Sequence, residues 1–172
     1  LIEPGLLPED VAPLIEIVRA TGFFRAEEVA IARELMEQHL TRGAAHSGYY
    51  FERARDFEGG LAGFACYGPI PGTDGSFDLY WIAVHPRLQG RGLGRLLVDT
   101  VAAKTGGSEG RLLYAETSSQ PLYDPTRSFY LRNGFHEIAR LPGFYRAGDD
   151  KIVYARNLGQ GASPAGGEGR ER

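Results

Sequence analysis

The chain has one cysteine, one methionine and one tryptophan in 172 residues. Cys66 has no partner for an internal disulfide, which suits a reducing compartment, so a cytoplasmic location is expected. No apolar run approaches the ~20 residues a membrane-spanning helix needs, and no secretory leader is visible, so no membrane partner is expected. Positive charge is not in excess: 19 Lys and Arg stand against 22 Asp and Glu, a net charge of −3. With no basic stripe to support base stacking by its tyrosines and phenylalanines, the chain is not expected to bind nucleic acid. His39, His46, His85 and His136 show no metal-ligand spacing, and no metal site is expected. Two phosphate-binding motifs are missing as well. There is no G-x-x-x-x-G-K-[ST] run, and no G-x-G-x-x-G.

What is present is a globular composition, 42% hydrophobic and 24% charged. A single domain is expected over residues 1–158, followed by a disordered tail, 159–172, of Gly, Ala, Ser, Glu and Arg with almost nothing to bury. The chain starts at Leu1 rather than Met, as a processed product or a piece of something longer would.

Hydrophobic patterning predicts alternating elements. Leu14 to Ala20 read as a first strand. A helix follows from Glu27 to before Gly43, with Ala32, Leu35, Met36 and His39 as its inner stripe. Tyr49 to Phe57 and Leu61 to Tyr67 form a hairpin around Glu58-Gly59-Gly60. Phe77 to Val84 form a central strand with Phe77, Leu79, Trp81 and Ala83 on one face and Asp78, Tyr80, Ile82 and Val84 on the other. The next helix buries Leu93, Leu96, Leu97 and Val101 and stops at Gly106-Gly107. A strand runs from Arg111 to Thr117. Asp124-Pro125 opens a short helix that Gly134 closes. Phe135 to Leu141 and Ile152 to Leu158 are the last strands, around a turn-rich Gly143 to Asp150. The order is β-α-β-β-β-α-β-α-β-β, an α/β (α+β) class with a mixed central sheet flanked by helices.

The junction between the central strand and its helix carries the strongest chemical signal. Val84-His85-Pro86-Arg87-Leu88-Gln89-Gly90-Arg91-Gly92-Leu93-Gly94-Arg95 places three glycines where a helix begins. Helix N-termini present unpaired N–H groups at the positive end of the dipole, and glycines let anion oxygens reach the main chain. The loop is therefore an anion seat, with Arg87, Arg91 and Arg95 around it; Arg91, inside the motif, is the first choice among them and Arg95 the second.

The pattern [QR]-x-x-G-x-[GA], filled by Gln89, Gly92 and Gly94 behind Val84 and Pro86, resembles the GNAT superfamily of N-acetyltransferases. That resemblance implies acetyl-CoA as co-substrate, with its pyrophosphate on Gln89, Gly90, Arg91, Gly92, Leu93, Gly94 and Arg95. It also implies that backbone N–H groups of Ile82, Ala83 and Val84 stabilise the oxyanion. The fourth and fifth strands would splay to admit the pantetheine arm. A second stretch, Phe129-Tyr130-Leu131-Arg132-Asn133-Gly134-Phe135, matches the family's Phe-Tyr-x-x-x-Gly-Phe near the acetyl-CoA thiol, where the tyrosine is often a general acid. Tyr130 is the expected acid here. A base to take the amine's proton is expected at Asp78 or, on the next strand, Glu116. Tyr80 to Val84 with Ala147 to Lys151 resemble a bacterial subgroup found near D-alanine ligase-like proteins, which points to amino-acid or small-peptide acceptors.

The resemblance implies transfer to a primary amine of a small molecule or peptide by direct attack in a ternary complex. It leaves the acceptor open, and homodimers are common in the family. Other readings are a protein N-acetyltransferase, a non-catalytic acetyl-CoA sensor, and an interaction domain whose loop binds another phosphate. Cys66 reads as a buried apolar residue, and Gly143 to Lys151 as either a plain hairpin loop or a border of the acceptor site.

Overall fold

The structure is a computed structural model that describes residues 1–107 and 109–159. The expected tail lies outside the described residues from residue 160 onward. A three-residue strand, β1 (Ile2–Pro4), comes first, and helix α1 (Val11–Ala20) follows a single 3-10 turn. The strand expected over Leu14 to Ala20 is thus a helix. Val11, Leu14, Ile15 and Val18 recur at i, i+3, i+4, i+7 and all are buried. Alternation over a short window hid this period, and Pro13 is tolerated because it falls in the helix's first turn, before intrahelical N–H bonds are required.

Helix α2 (Ala26–Arg42) ends where Gly43 takes a φ of 74°. The short α3 (Ala44–Ser47) leads into the hairpin β2 (Tyr50–Arg55) and β3 (Leu61–Pro69). Then come β4 (Ser76–Val84), α4 (Leu93–Gly106), β5 (Leu112–Ser118), α5 (Asp124–Arg132), β6 (His136–Arg146) and β7 (Asp149–Asn157). Most of the segment expected as a loop between the last two strands is therefore strand, and the turn shrinks to Ala147 and Gly148, with Gly148 at φ 77°.

The strands form one sheet in the order β1-β2-β3-β4-β5-β7-β6. On one side α1 and α2 bury Leu14, Ile15, Met36, Phe51 and Phe64. On the other, α4 and α5 bury Leu97, Val101, Leu113, Tyr130 and Phe135. Among the described residues, no helix is long and apolar enough to cross a membrane.

Two features of the sheet shape the site. First, β4 and β5 are parallel neighbours but pair only over Ser76–Asp78 with Leu112–Tyr114, then part. Second, β4 carries a bulge. Cys66 pairs with Trp81 and Tyr67 with Leu79, so Tyr80 is an extra residue. The bulge shifts the phase of the alternation. Phe77, Leu79, Ile82 and Val84 pack toward α4, whereas Tyr80, Trp81 and Ala83 pack toward α1 and α2. The simple two-face pattern expected for this strand fails after Leu79, and Asp78 faces away from Ile82 and Val84 rather than with them.

Helix α4 also departs from expectation in one position. Leu97, Val98, Val101 and Ala102 are its buried residues, while Leu96 is 45% exposed. Leu97→Ala should cost about 2–5 kcal/mol of unfolding free energy, and Leu96→Ala should fall within about 0.5 kcal/mol of wild type. Urea titration of both variants checks the assignment; equal losses would refute it.

Candidate active site

Where β4 and β5 part, the gap opens into a cleft of about 1380 Å³. One end is the glycine loop. Gly90 and Gly92 have φ of 74° and 84°, a left-handed backbone that glycine adopts without strain. An added Cβ at either would meet nothing within 4 Å, so both main chains face open space. Gln89 fixes the loop to the strand by donating from Nε2 to the Val84 carbonyl at 3.1 Å. The first bond of the helix is Leu96 N–H to Gly92 O at 2.9 Å, which leaves the amides of Leu93, Gly94 and Arg95 without intrahelical acceptors.

Of the residues expected around the loop and on β4, Ile82, Ala83, Val84, Gln89, Gly90, Gly92, Leu93, Gly94 and Arg95 all line the cleft. Arg91 and Arg87 are exposed and lie outside that lining. Arg95, the second choice by sequence, is the arginine that borders the seat. Phe129 lines the cleft as well, and its ring lies 3.0 Å from where a Gly94 Cβ would sit. Position 94 needs glycine for this close helix approach rather than for an unusual φ.

Tyr130 lines the same cleft and is 5% exposed, among the rings of Phe129, Phe135 and Tyr154. Burial pushes its phenol well above the usual tyrosine range, and the charge of Glu116 and the Tyr154 phenol push the same way. The phenol is therefore favoured in its neutral form.

Asp78 and Glu116 line the cleft beyond Tyr130. In-register pairing of Asp78 with Tyr114 puts Asp78, Tyr114 and Glu116 on the sheet face opposite the α4 core. Tyr130 belongs to the α4 side. The gap between β4 and β5 brings the tyrosine and the two carboxylates to one space although they belong to opposite faces.

The two carboxylates are not equivalent. Glu116 is ion-paired with Lys151 Nζ, which also sits 4.5 Å above the Phe144 ring. Asp78 has no ion pair among the described residues. Half-burial raises its pKa above the ordinary aspartate value; Glu116 adds to the rise and Lys151 opposes it.

The far end of the cleft combines Phe23, Phe24 and Tyr123, which the sequence did not single out, with Tyr145, Arg146 and Asp149 from the Gly143 to Lys151 stretch read as a loop or a border of the acceptor site. Phe24 stacks near Trp81 at 4.9 Å, and Tyr123 donates to the Phe23 carbonyl at 3.0 Å. Asp149 is 6% exposed and accepts a hydrogen bond from Ser118. These groups come from the α1–α2 connection, the turn before α5 and the start of β7, segments far apart in the chain. No local motif marks them. Cys66, by contrast, is fully buried in β3 with its thiol pushed up by burial, an inert packing residue as expected.

A family model described as the acetyltransferase (GNAT) domain matches residues 45–137, from just before β2 to the start of β6. The chain belongs to the GNAT family of acetyltransferases. A GNAT-family acetyltransferase structure from Desulfovibrio desulfuricans is 48% identical, covers 92% of this chain and 98% of its own, and superposes with a TM-score of 0.88. More remote acetyltransferase structures share the fold. An aminoglycoside 6'-N-acetyltransferase complexed with coenzyme A has 17% identity and a TM-score of 0.74, with 95% and 99% of the two chains covered. The ribosomal-protein-S18-alanine N-acetyltransferase from Escherichia coli has 20% identity and a TM-score of 0.69, with 95% and 97% covered. No curated protein sequence matches the chain. As a GNAT enzyme the chain is an acetyltransferase, and the parted β4 and β5 are the splayed fourth and fifth strands of that fold.

Proposed function

We propose that this acetyltransferase, acting as one catalytic domain over residues 1–158, moves the acetyl group of acetyl-CoA onto a primary amine of a small molecule or peptide. Attack is direct, within a ternary complex. The observation that carries the reading is the continuity of one cleft, from the open helix terminus, past Tyr130, to an unpaired carboxylate at Asp78.

The residues present fit a phosphate-bearing pantetheine compound. Open space over Gly90 and Gly92, three amides without intrahelical acceptors, and the Arg95 guanidinium together suit a pyrophosphate. Beyond Asp78 the β5-facing edge of β4 has no strand partner, so its backbone groups are available to an extended, amide-containing arm. Acetyl-CoA supplies the acyl group on a thiol leaving group.

The chain's own groups then do the following. Asp78 takes a proton from the acceptor ammonium, directly or through water, leaving a neutral amine. Glu116 is committed to Lys151, so it orients and charges the site rather than receiving that proton. As the N–C bond forms, backbone N–H groups of the Ile82–Val84 stretch stabilise charge on the carbonyl oxygen. Tyr130 offers its phenolic proton to the departing sulfur as the C–S bond breaks, and the proton that the attacking nitrogen sheds as the amide forms returns through water to the phenol.

Thiol release from acetyl-CoA across amino acids, peptides, polyamines and aminoglycosides is the direct test. Acceptor-dependent release is expected; acetyl-CoA binding with no release against any amine would overturn the enzyme mechanism in favour of a sensor. A second test addresses the seat alone. Gly92→Val places a β-branched side chain at φ 84°, costing about 1–3 kcal/mol of backbone strain, and sets that side chain in the anion's space. The dissociation constant for coenzyme A should rise about tenfold or more by calorimetry. Unchanged affinity would remove the glycine loop from the binding site.

A further inference from the structure

The charges at the far end of the cleft restrict what the acceptor carries besides its amine. Glu28, Asp78, Glu116 and Asp149 all line the cleft. Three of these carboxylates are matched by cations: Glu28 by Arg25 Nε at 3.4 Å, Asp149 by Arg146 Nε at 3.5 Å, and Glu116 by Lys151. Asp78 alone lacks a cation. A polycationic acceptor would need several uncompensated carboxylates, and this end supplies one.

Both arginines are held by Nε. That leaves the two terminal nitrogens of each guanidinium with no hydrogen bond or ion pair among the described residues. Their side chains are exposed at the mouth of the cleft, and they come from different walls. Arg25 belongs to the connection between α1 and α2, Arg146 to the end of β6. Arg25, Tyr123 and Arg146 line the same cleft, and the charges of Glu28, Arg25, Asp149 and Arg146 all act on the Tyr123 phenol. Two guanidiniums pre-oriented by their own carboxylates, with their outer N–H pairs free, form a receptor for one anionic oxygen pair. Between them and Asp78 the wall is apolar, made by Phe24 against Trp81 and by Phe23 against Tyr123.

We propose that the acceptor is a zwitterion, an amino acid or short peptide whose ammonium meets Asp78 and whose carboxylate is held by Arg25 and Arg146. Its side chain lies against Phe24 and Trp81, which favours apolar and aromatic ones. The inference rests on the acetyl-transfer reading above and narrows it. Compounds with the amine but no carboxylate leave the outer N–H groups of both guanidiniums without an acceptor, and polyamines and aminoglycosides place added positive charge beside them.

The test uses the full chain and matched acceptors. Alanine, leucine, phenylalanine and glycylglycine are each compared with their carboxamides, alongside spermidine and kanamycin, by thiol release from acetyl-CoA. At least one free acid should exceed its amide by tenfold or more in kcat/KM. In an Arg25→Gln/Arg146→Gln double variant that ratio should collapse toward one, and Arg25→Lys/Arg146→Lys should retain part of it. Both side chains are exposed, so folding is not at risk, and circular dichroism checks it. Amides that match or exceed their acids, a ratio unchanged in the double variant, or spermidine or kanamycin as the best acceptor would each overturn the inference while leaving acetyl transfer intact. No turnover of any amine by protein that binds acetyl-CoA would overturn both.

Discussion

Tyr130→Phe is expected to lower kcat by about 10²-fold or more, the usual loss when a positioned acid is removed, with little change in acetyl-CoA affinity or thermal stability. The ring survives the substitution, and its contacts with Phe129, Phe135 and Tyr154 at 5.7, 5.2 and 5.6 Å survive with it. Only the proton is lost. Because burial and the Glu116 charge push the phenol up, it stays protonated across the working pH range and cannot set the basic limb of the pH profile. A free thiol, with a pKa of about 8.5, is already more acidic than an ordinary phenol at about 10. Complete proton transfer to a fully formed thiolate would run uphill, so the phenol acts while the C–S bond is still breaking, through a hydrogen bond that strengthens with charge on sulfur. Single-turnover kinetics with a good acceptor measure this step. Wild-type rates in Tyr130→Phe would sink the assignment, and loss of coenzyme A binding would show that the tyrosine is part of the seat instead.

Asp78→Asn should produce two opposite effects. Activity should fall by about 10²-fold or more if this carboxylate takes the ammonium proton, with the residual rate rising toward high pH, where free amine is already present. Stability should increase at neutral pH. The sign follows from linkage. Burial, reinforced by Glu116, raises the folded-state pKa of Asp78 above its unfolded value, while Lys151 opposes the rise. The native state therefore binds this proton more tightly than the unfolded state does. Below the unfolded pKa, about 3.9, the carboxyl is neutral in both states and costs nothing. As pH rises through the raised folded pKa the native state loses stability, and the loss is complete above it. Asn removes that cost, so its melting temperature should exceed wild type near pH 7 and converge with it near pH 3. In wild type the same shift puts the acidic limb of kcat/KM above the ordinary aspartate range. A variant less stable at pH 7 would mean that Asp78 is held by contacts that outweigh its burial. A variant of undiminished activity would pass the base role to Glu116, whose pairing with Lys151 makes it the weaker candidate.

Much of this was legible along the chain. A glycine loop at the start of a helix is a local construction: the residues that bind are the residues that shape the backbone, and Gln89, Gly90, Gly92 and Gly94 are within a few positions of one another. The same holds for Tyr130 in its short helix and for the hairpin of β2 and β3. Leu14 to Ala20 failed because seven residues do not separate a period of 2 from one of 3.6; Val11, outside that window, belongs to the stripe that makes it a helix. Leu96 failed because a helix face is buried only where the sheet covers it, and the covering is not written in the helix.

Sequence by itself determined the class of fold and the glycine-rich helix start, and it named Tyr130, Asp78 and Glu116 as candidates, since each of these depends on neighbours in the chain. Only tertiary structure distinguishes the two carboxylates, because it takes Lys151 from β7 to pair with Glu116 on β5 while Asp78 on β4 has no ion pair among the described residues. It also decided which face Asp78 occupies, through a bulge at Tyr80 that appears only when β4 is paired with β3. Arg25 and Arg146 stand 121 positions apart in the sequence, and only the folding of α2 and β6 around one cleft brings their charges to the same ring. Charge compensation and strand register are properties of contact between distant segments, which no local spacing encodes.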